Sequence, residues 1–134
     1  MPLIIWGPKL CVGIEQIDDQ HKKLVEIVNK LNDAMVAGHG REVIGPTLNE
    51  LIRYTQYHFS TEERLMAAHG YEHTAEHKAQ HAKLLQDVGE FKTRFDSGNS
   101  MLSIELLRFL RDWLSGHILG SDLKLAKCLE AAAT

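Results

Sequence analysis

Cysteine is scarce in this sequence, with only two residues, Cys11 and Cys128, near opposite ends of the chain. Small secreted domains that depend on disulfides carry more cysteines in so short a chain. We therefore predict two reduced thiols in a cytoplasmic protein rather than a disulfide-stapled one.

Long apolar segments and an excess of positive charge are also missing. The opening stretch MPLIIWGPKL has an apolar patch, but it falls far short of the roughly 20 residues that span a bilayer, and no basic leader precedes it. Lys and Arg total 15 against 18 Asp and Glu, with both signs interspersed, so the sequence has no basic footprint for nucleic acid. We expect a protein that neither inserts into a membrane nor binds nucleic acid.

Strand-like alternation, internal repeats and low-complexity linkers are absent too. Glycine-rich turns divide the 134 residues into four long segments, each with an apolar stripe at steps of three and four. The predicted helices cover roughly 18–37, 46–68, 74–96 and 101–118. We expect Asp18 to cap the first helix and Pro46 to begin the second, since these residues suit those positions.

Four helices with short connections predict a single all-α domain over residues 1–134. The expected fold is an antiparallel up-down-up-down four-helix bundle, with an N-terminal arm that includes Trp6 and a short C-terminal segment.

Histidine is what the sequence has in abundance, with eight residues. Three of them fall at turns or segment ends, where surface positions are expected: His39, His69 and His73. The other five share the apolar stripes with one glutamate, and these six residues are His21, His58, Glu62, His77, His81 and His117. Burying them without partners would cost a few kcal/mol each, more in total than the roughly 5–15 kcal/mol by which a domain is stable. A metal removes that cost by taking imidazole nitrogen and carboxylate oxygen as ligands.

The six residues are also predicted to meet at one end of the bundle. His58 and Glu62 close the second helix, and His77 and His81 open the third. His21 begins the first helix and His117 ends the fourth, again at that end. Asp122 follows His117 by five residues, which on a regular helix points it away by about 140°. Gly120 offers a place where the helix can widen or end and return Asp122 to the cluster.

Seven candidate ligands are too many for one zinc ion, which takes about four, and they suit two six-coordinate ions. Five imidazoles, two bridging carboxylates and one bridging oxygen leave about one of 12 positions open. An N/O donor set with one open position suits redox-active iron that binds a small ligand. The apolar neighbours Leu24, Leu84 and Trp113 favour O2 over a charged substrate.

These residues resemble the signature of the hemerythrin family, H…HxxxE…HxxxH…HxxxxD. The stretches that carry the resemblance are His21, HFSTE (58–62), HKAQH (77–81) and HILGSD (117–122). GIEQIDDQHKKL and FLRDWLSGHI also resemble the bacterial branch, and the similarity runs from about Trp6 to Leu129. The resemblance implies that His77, His81 and His117 hold one iron. His21 and His58 would hold the other, with Glu62, Asp122 and an oxo or hydroxo group as bridges.

The predicted function is reversible O2 binding by a monomer, for storage or delivery to an oxygen-consuming enzyme, without catalysis of its own. A diiron redox enzyme, such as a peroxidase or nitric oxide reductase, is one alternative, and a sensor or iron-handling module is another. Ferritin-like oxidase sites use Glu-x-x-His pairs and further carboxylates, whereas this set is rich in histidine. A sensor would usually be fused to an output domain.

Overall fold

The computed structural model describes residues 3–38, 41–98 and 103–133, and the regular structure in these ranges is entirely helical. The five α-helices are α1 (Glu15–Val36), α2 (Arg41–His69), α3 (Thr74–Asp96), α4 (Ser103–His117) and α5 (Leu123–Ala133). A 3-10 turn covers Pro8–Leu10, and a wide helical turn at Ile118–Asp122 joins α4 to α5. Helices α1 to α4 form the antiparallel bundle that the sequence predicts.

Helix α1 begins at Glu15, three residues before the predicted start, so Asp18 is not its N-cap. Asp18 lies in the first turn, and its carboxylate accepts hydrogen bonds from the backbone N–H groups of Val12 at 2.7 Å and Gly13 at 3.2 Å. The acid therefore ties the N-terminal arm to the helix start, where a negative charge is also favourable.

The predicted start of the second helix is wrong as well, because α2 begins at Arg41 and contains Pro46. Proline removes one backbone hydrogen bond to the carbonyl four residues earlier. The helix tolerates this loss because Pro46 lies close to its beginning, and the remaining 23 residues run without a break to His69.

The end of α2 is a Schellman motif that sets up the turn into α3. Gly70 has a positive φ of 59°, its N–H bonds to the Ala67 carbonyl at 3.4 Å, and the Tyr71 N–H bonds to the Met66 carbonyl at 3.0 Å. Both Met66 and Tyr71 are buried. Because α3 begins at Thr74, this tight turn places the end of α2 beside the start of α3.

The apolar stripes pack together as one core. Along α1 the apolar residues at these steps, Ile17, Leu24, Val28 and Leu31, are buried, and Met35 near the end of the helix is half-buried. On the other helices Leu65, Phe91, Phe95 and Trp113 are half-buried as well. The N-terminal arm lies against α1, where the Asn29 side chain bonds the Ile4 backbone in both directions, at 2.9 and 2.8 Å. Trp6 packs on the core from this arm. None of the described helices has both the length and the apolar composition of a bilayer span.

The wide turn between α4 and α5 is a π-type segment of five residues. In such a turn the backbone hydrogen bonds span five residues, so a residue five positions on returns to nearly the same face. The helix therefore widens after His117, one of the two routes by which Asp122 was predicted to reach the cluster.

Candidate metal centre

The structure brings all seven predicted site residues together at one end of the bundle. His21 comes from α1, His58 and Glu62 from α2, and His77 and His81 from α3, while His117 ends α4 and Asp122 ends the wide turn. All seven are buried, and the most accessible, His117, is only 6% exposed. The cluster is therefore sealed from solvent by the bundle that forms it.

The seven side chains form two overlapping groups of donor atoms, and within each group these atoms lie within 4.8 Å of one another. One group contains His77, His81 and His117, and the other contains His21 and His58. Glu62 and Asp122 belong to both groups. This arrangement fits two neighbouring metal ions that share two bridging carboxylates.

The two oxygens of Asp122 face different groups. Oδ1 lies 2.9 Å from His77 Nε2 and 3.0 Å from His117 Nε2, whereas Oδ2 lies 2.8 Å from His21 Nε2. A carboxylate with one oxygen toward each group has the geometry of a bridge.

Glu62 lies between the same groups. Its Oε1 lies 3.1 Å from His81 Nε2, 3.3 Å from His58 Nε2 and 3.7 Å from His77 Nε2. It therefore contacts imidazoles of both groups through a single oxygen.

The polar atoms that face one another in the cluster lack hydrogen-bond partners. Among the described side chains, the buried nitrogen and oxygen atoms without a hydrogen bond all belong to these residues: Nε2 of all five histidines, Nδ1 of His21, and all four carboxylate oxygens of Glu62 and Asp122. The Nε2–oxygen contacts are short, but they lack hydrogen-bond geometry. Unpaired buried polar atoms are costly, and metal coordination satisfies imidazole nitrogen and carboxylate oxygen together. The residues thus fit a pair of metal ions.

The electrostatics of the cluster keep both acids ionised. Burial and the Asp122 charge raise the pKa of Glu62, but His58, His77 and His81 outweigh them and lower it to about 2. Burial likewise raises the pKa of Asp122, and its contacts with three histidines hold it well below the usual range.

Two histidines respond differently to the same surroundings. Burial lowers the pKa of His117, and its contact with Asp122 does not compensate. Burial also lowers the pKa of His77, but Asp122 and Glu62 together raise it to about 9. In the metal-free chain an imidazolium at His77 therefore balances part of the carboxylate charge.

An outer ring of hydrogen bonds fixes three of the imidazoles. The Nδ1–H of His58 donates to Gln20 Oε1 at 2.7 Å, that of His81 donates to Glu63 Oε2 at 3.0 Å, and that of His117 donates to Gln80 Oε1 at 2.9 Å. Each acceptor lies on the helix that precedes its histidine. With Nδ1 protonated, Nε2 keeps its lone pair for a metal.

Sequence reasoning did not identify these three acceptors. The only signal is that each is adjacent in sequence to a predicted ligand: Gln20 to His21, Glu63 to Glu62 and Gln80 to His81. A residue next to a ligand can face the following helix of a bundle. Which histidine it contacts there depends on how the two helices pack.

Aromatic rings hold two of the same imidazoles in place. Phe59 stacks on His81 with ring centroids 3.7 Å apart, and Trp113 stacks on His117 at 4.3 Å. These contacts restrict rotation of the histidine rings, in addition to the hydrogen bonds at Nδ1.

A small apolar cavity borders these aromatic rings. Its lining is formed by Leu24, Val28, Leu51, Thr55, Phe59, Leu84, Leu110, Trp113 and Leu114. The space open to the centre of a water-sized molecule is about 20 Å³. This space suits a single small apolar molecule, because dry cavities with apolar walls attract such molecules rather than water.

The remaining histidines and the cysteines lie outside this centre. His69 is exposed and His73 is half-buried, with its ring near the exposed Glu72 and Glu76. His39 lies outside the described residues. Cys11 and Cys128 are free and exposed.

Known proteins share the fold and much of the sequence. Residues 12–129 match the family model described as hemerythrin HHE cation binding domain, a range that contains all seven cluster residues. The chain is 37% identical to the bacteriohemerythrin of Stenotrophomonas maltophilia, over 98% of this chain and 84% of that protein. It is also 37% identical to the bacteriohemerythrin of Methylococcus capsulatus, over 98% of this chain and 100% of that one. A crystal structure of wild-type hemerythrin superimposes with a TM-score of 0.88 at 37% identity, covering 95% of this chain and 98% of that one.

Proposed function

The chain belongs to the hemerythrin family, and on that premise we propose that its buried cluster holds two non-heme iron ions and binds O2 reversibly. The observation that supports this most strongly is the pair of donor groups that share both carboxylates. A site for one ion would not need the same two acids in both groups. The cluster and the family together fit a non-heme diiron site.

The two donor groups would hold the ions unequally. His77, His81 and His117 with the two carboxylates supply five donors to one ion, and His21 and His58 with the same carboxylates supply four to the other. A bridging oxo or hydroxo group would add one donor to each. Six-coordinate iron would then keep one open position, on the ion that His21 and His58 hold. The iron pair, when bound, supplies the electrons that make O2 binding favourable and reversible.

The protein's own residues suit a small neutral ligand. The apolar cavity beside Phe59 and Trp113 excludes charged molecules, and the cluster residues are almost inaccessible to water. Exclusion of water and ions protects a bound ligand from side reactions. The cluster also has only two carboxylates for five imidazoles, which favours binding of O2 over its activation.

We further propose that the protein works as a monomeric store or carrier that supplies oxygen-consuming enzymes in the cytoplasm. The two free, exposed thiols suit a reducing compartment, where disulfides rarely persist.

An anaerobic redox cycle tests this function. The iron-loaded protein is reduced without air, exposed to O2 and then deoxygenated, with optical spectra recorded at each stage. We expect an oxygenated form that lasts through the measurement and returns to the starting reduced spectrum. Immediate and irreversible oxidation would contradict O2 carriage and would favour a redox enzyme or a sensor.

A further inference from the structure

The outer ring of hydrogen bonds is chemically uneven, and the difference lies at His81. The imidazoles of His58 and His117 donate to neutral carboxamide oxygens, on Gln20 and Gln80. His81 donates instead to the carboxylate of Glu63, at 3.0 Å. Hydrogen bonds to a carboxylate are stronger than those between neutral groups, because the charge attracts the proton.

The position of Glu63 lets it act on the cluster without entering it. Its side chain is 32% exposed, whereas the side chain of His81 is 2% exposed, so the carboxylate lies between solvent and the buried imidazole. Glu63 follows Glu62 directly on α2, and the two acids face opposite nitrogens of the same ring: Glu62 Oε1 lies 3.1 Å from His81 Nε2, whereas Glu63 Oε2 accepts from His81 Nδ1. In addition, one face of the His81 ring stacks on Phe59.

From this geometry, and resting on the proposed diiron site, we propose that Glu63 is a positioning residue that strengthens His81 as a ligand and thereby lowers the reduction potential of the iron pair. A carboxylate that holds the Nδ1 proton increases electron donation from Nε2. Stronger donation stabilises the more highly charged ferric state. Glu63 would therefore set how readily the centre gives up electrons.

Two substitutions at this position separate charge from hydrogen bonding. Glu63→Gln keeps an oxygen that accepts the Nδ1–H but removes the charge, so it should retain two irons per chain and raise the midpoint potential. Glu63→Ala removes the acceptor as well, so it should also bind iron about 10–100-fold more weakly in competition with a chelator, as is typical when such an outer partner is lost. A role in holding the ring alone would leave the potential of Glu63→Gln unchanged.

The chain also offers the converse substitution. Gln80 Oε1 accepts from both His117 Nδ1 and Ser121 Oγ, at 2.9 and 2.6 Å, so Gln80→Glu can keep both hydrogen bonds while it adds a carboxylate. Gln20 is less suitable because its Nε2 donates to Thr61 Oγ1, and a glutamate would lose that bond. Gln80→Glu should lower the midpoint potential. Glu90→Gln, at an exposed position of α3, controls for the loss of one negative charge.

The experiment is a spectroelectrochemical titration of four iron-loaded proteins: the wild type, Glu63→Gln, Gln80→Glu and Glu90→Gln. The iron content of each is measured first. We expect the midpoint potential to rise in Glu63→Gln, to fall in Gln80→Glu and to stay at the wild-type value in Glu90→Gln. Two irons per chain with a Glu63→Gln potential equal to that of Glu90→Gln would overturn this inference and leave the proposed function intact. A wild-type chain that takes up no iron would overturn both.

Discussion

At the level of single residues, Glu62 differs from the histidines because its carboxylate belongs to both donor groups. His58, one helical turn before it on the same helix, belongs to only one of them. The spacing of four lets a single turn of α2 supply one ligand that serves one ion and one that joins the two ions. Substitution of Glu62 should therefore change the iron content differently from substitution of His58.

Glu62→Ala should abolish binding of both irons, because each ion loses a donor and the shared bridge disappears. His58→Ala should release chiefly the iron that is also held by His21, leaving about one iron per chain. Metal analysis of the purified variants measures both outcomes, with His73→Ala, outside the cluster, as the control. Equal iron content in Glu62→Ala and the wild type would contradict the bridging role.

His77 links metal uptake to pH. In the metal-free chain Asp122 and Glu62 raise its pKa to about 9, from an ordinary value of 6.5, whereas a metal needs the neutral imidazole. A raised pKa stabilises the metal-free fold fully below pH 6.5, and this contribution is lost as the pH rises through about 9.

Iron(II) uptake near neutral pH should therefore release about one proton from His77, while the two ionised carboxylates release none. Anaerobic calorimetry in two buffers with different heats of protonation measures this release. Above about pH 9, where the imidazole is already neutral, the release should be smaller by about one proton, and only a proton from the water that forms the hydroxo bridge would remain. Equal proton release at pH 7 and above pH 9 would show that His77 is neutral before the metal binds.

Among the elements, the wide turn after α4 determines whether Asp122 can join the site. Its five residues, Ile118–Asp122, bring the aspartate back to the His117 side before α5 continues. Gly120 was predicted to permit this change, yet a Cβ added there meets nothing within 4 Å, and its φ is not among the positive values. The glycine is therefore not a steric requirement of the turn. Gly70, by contrast, has a φ of 59°, which disfavours other residues.

Alanine at these two glycines should have opposite effects. Gly120→Ala should increase the free energy of unfolding by about 0.5–1 kcal/mol, because alanine restricts the unfolded chain, and it should retain iron. Gly70→Ala should lower it by about 1–2 kcal/mol, because a Cβ is strained at positive φ. Urea unfolding of the two metal-free variants compares the values directly. Loss of iron from Gly120→Ala would show that the wide turn depends on glycine.

The elements also show what could be predicted from the sequence. Periodicity placed His58, Glu62, His77 and His81 on core faces, since steps of three and four follow from helix geometry alone. Asp122 was harder, because its spacing of five fits only a widened or ended helix. The start of α2 was missed because Pro46 suits a first turn equally well. Gln20, Glu63 and Gln80 escaped prediction because their roles depend on how neighbouring helices are rotated against each other.

For the whole molecule, we expect bound metal to be the main source of stability at the end of the bundle that holds the cluster. In the described part of the chain, the buried side-chain nitrogen and oxygen atoms without hydrogen bonds all belong to the seven cluster residues. Each such atom costs about 1–3 kcal/mol when it stays unpaired, against a total stability of roughly 5–15 kcal/mol. The metal-free protein should therefore be markedly less stable than the loaded one.

Removal of iron should lower the midpoint of thermal unfolding by on the order of 10 °C or more. The free energy of unfolding falls by several kcal/mol, and each kcal/mol shifts the midpoint by a few degrees. Calorimetric scans before and after chelation measure the difference. Readdition of iron should restore the midpoint, and a midpoint that is unaffected by chelation would show that the cluster is stable without metal.

Diffraction from iron-loaded crystals, recorded at the iron absorption edge, tests the diiron assignment most directly. We predict two anomalous peaks per chain, one beside His77, His81 and His117 and the other beside His21 and His58, with Glu62 and Asp122 bound to both. A single peak within the cluster, or two peaks that share neither carboxylate, would contradict the account.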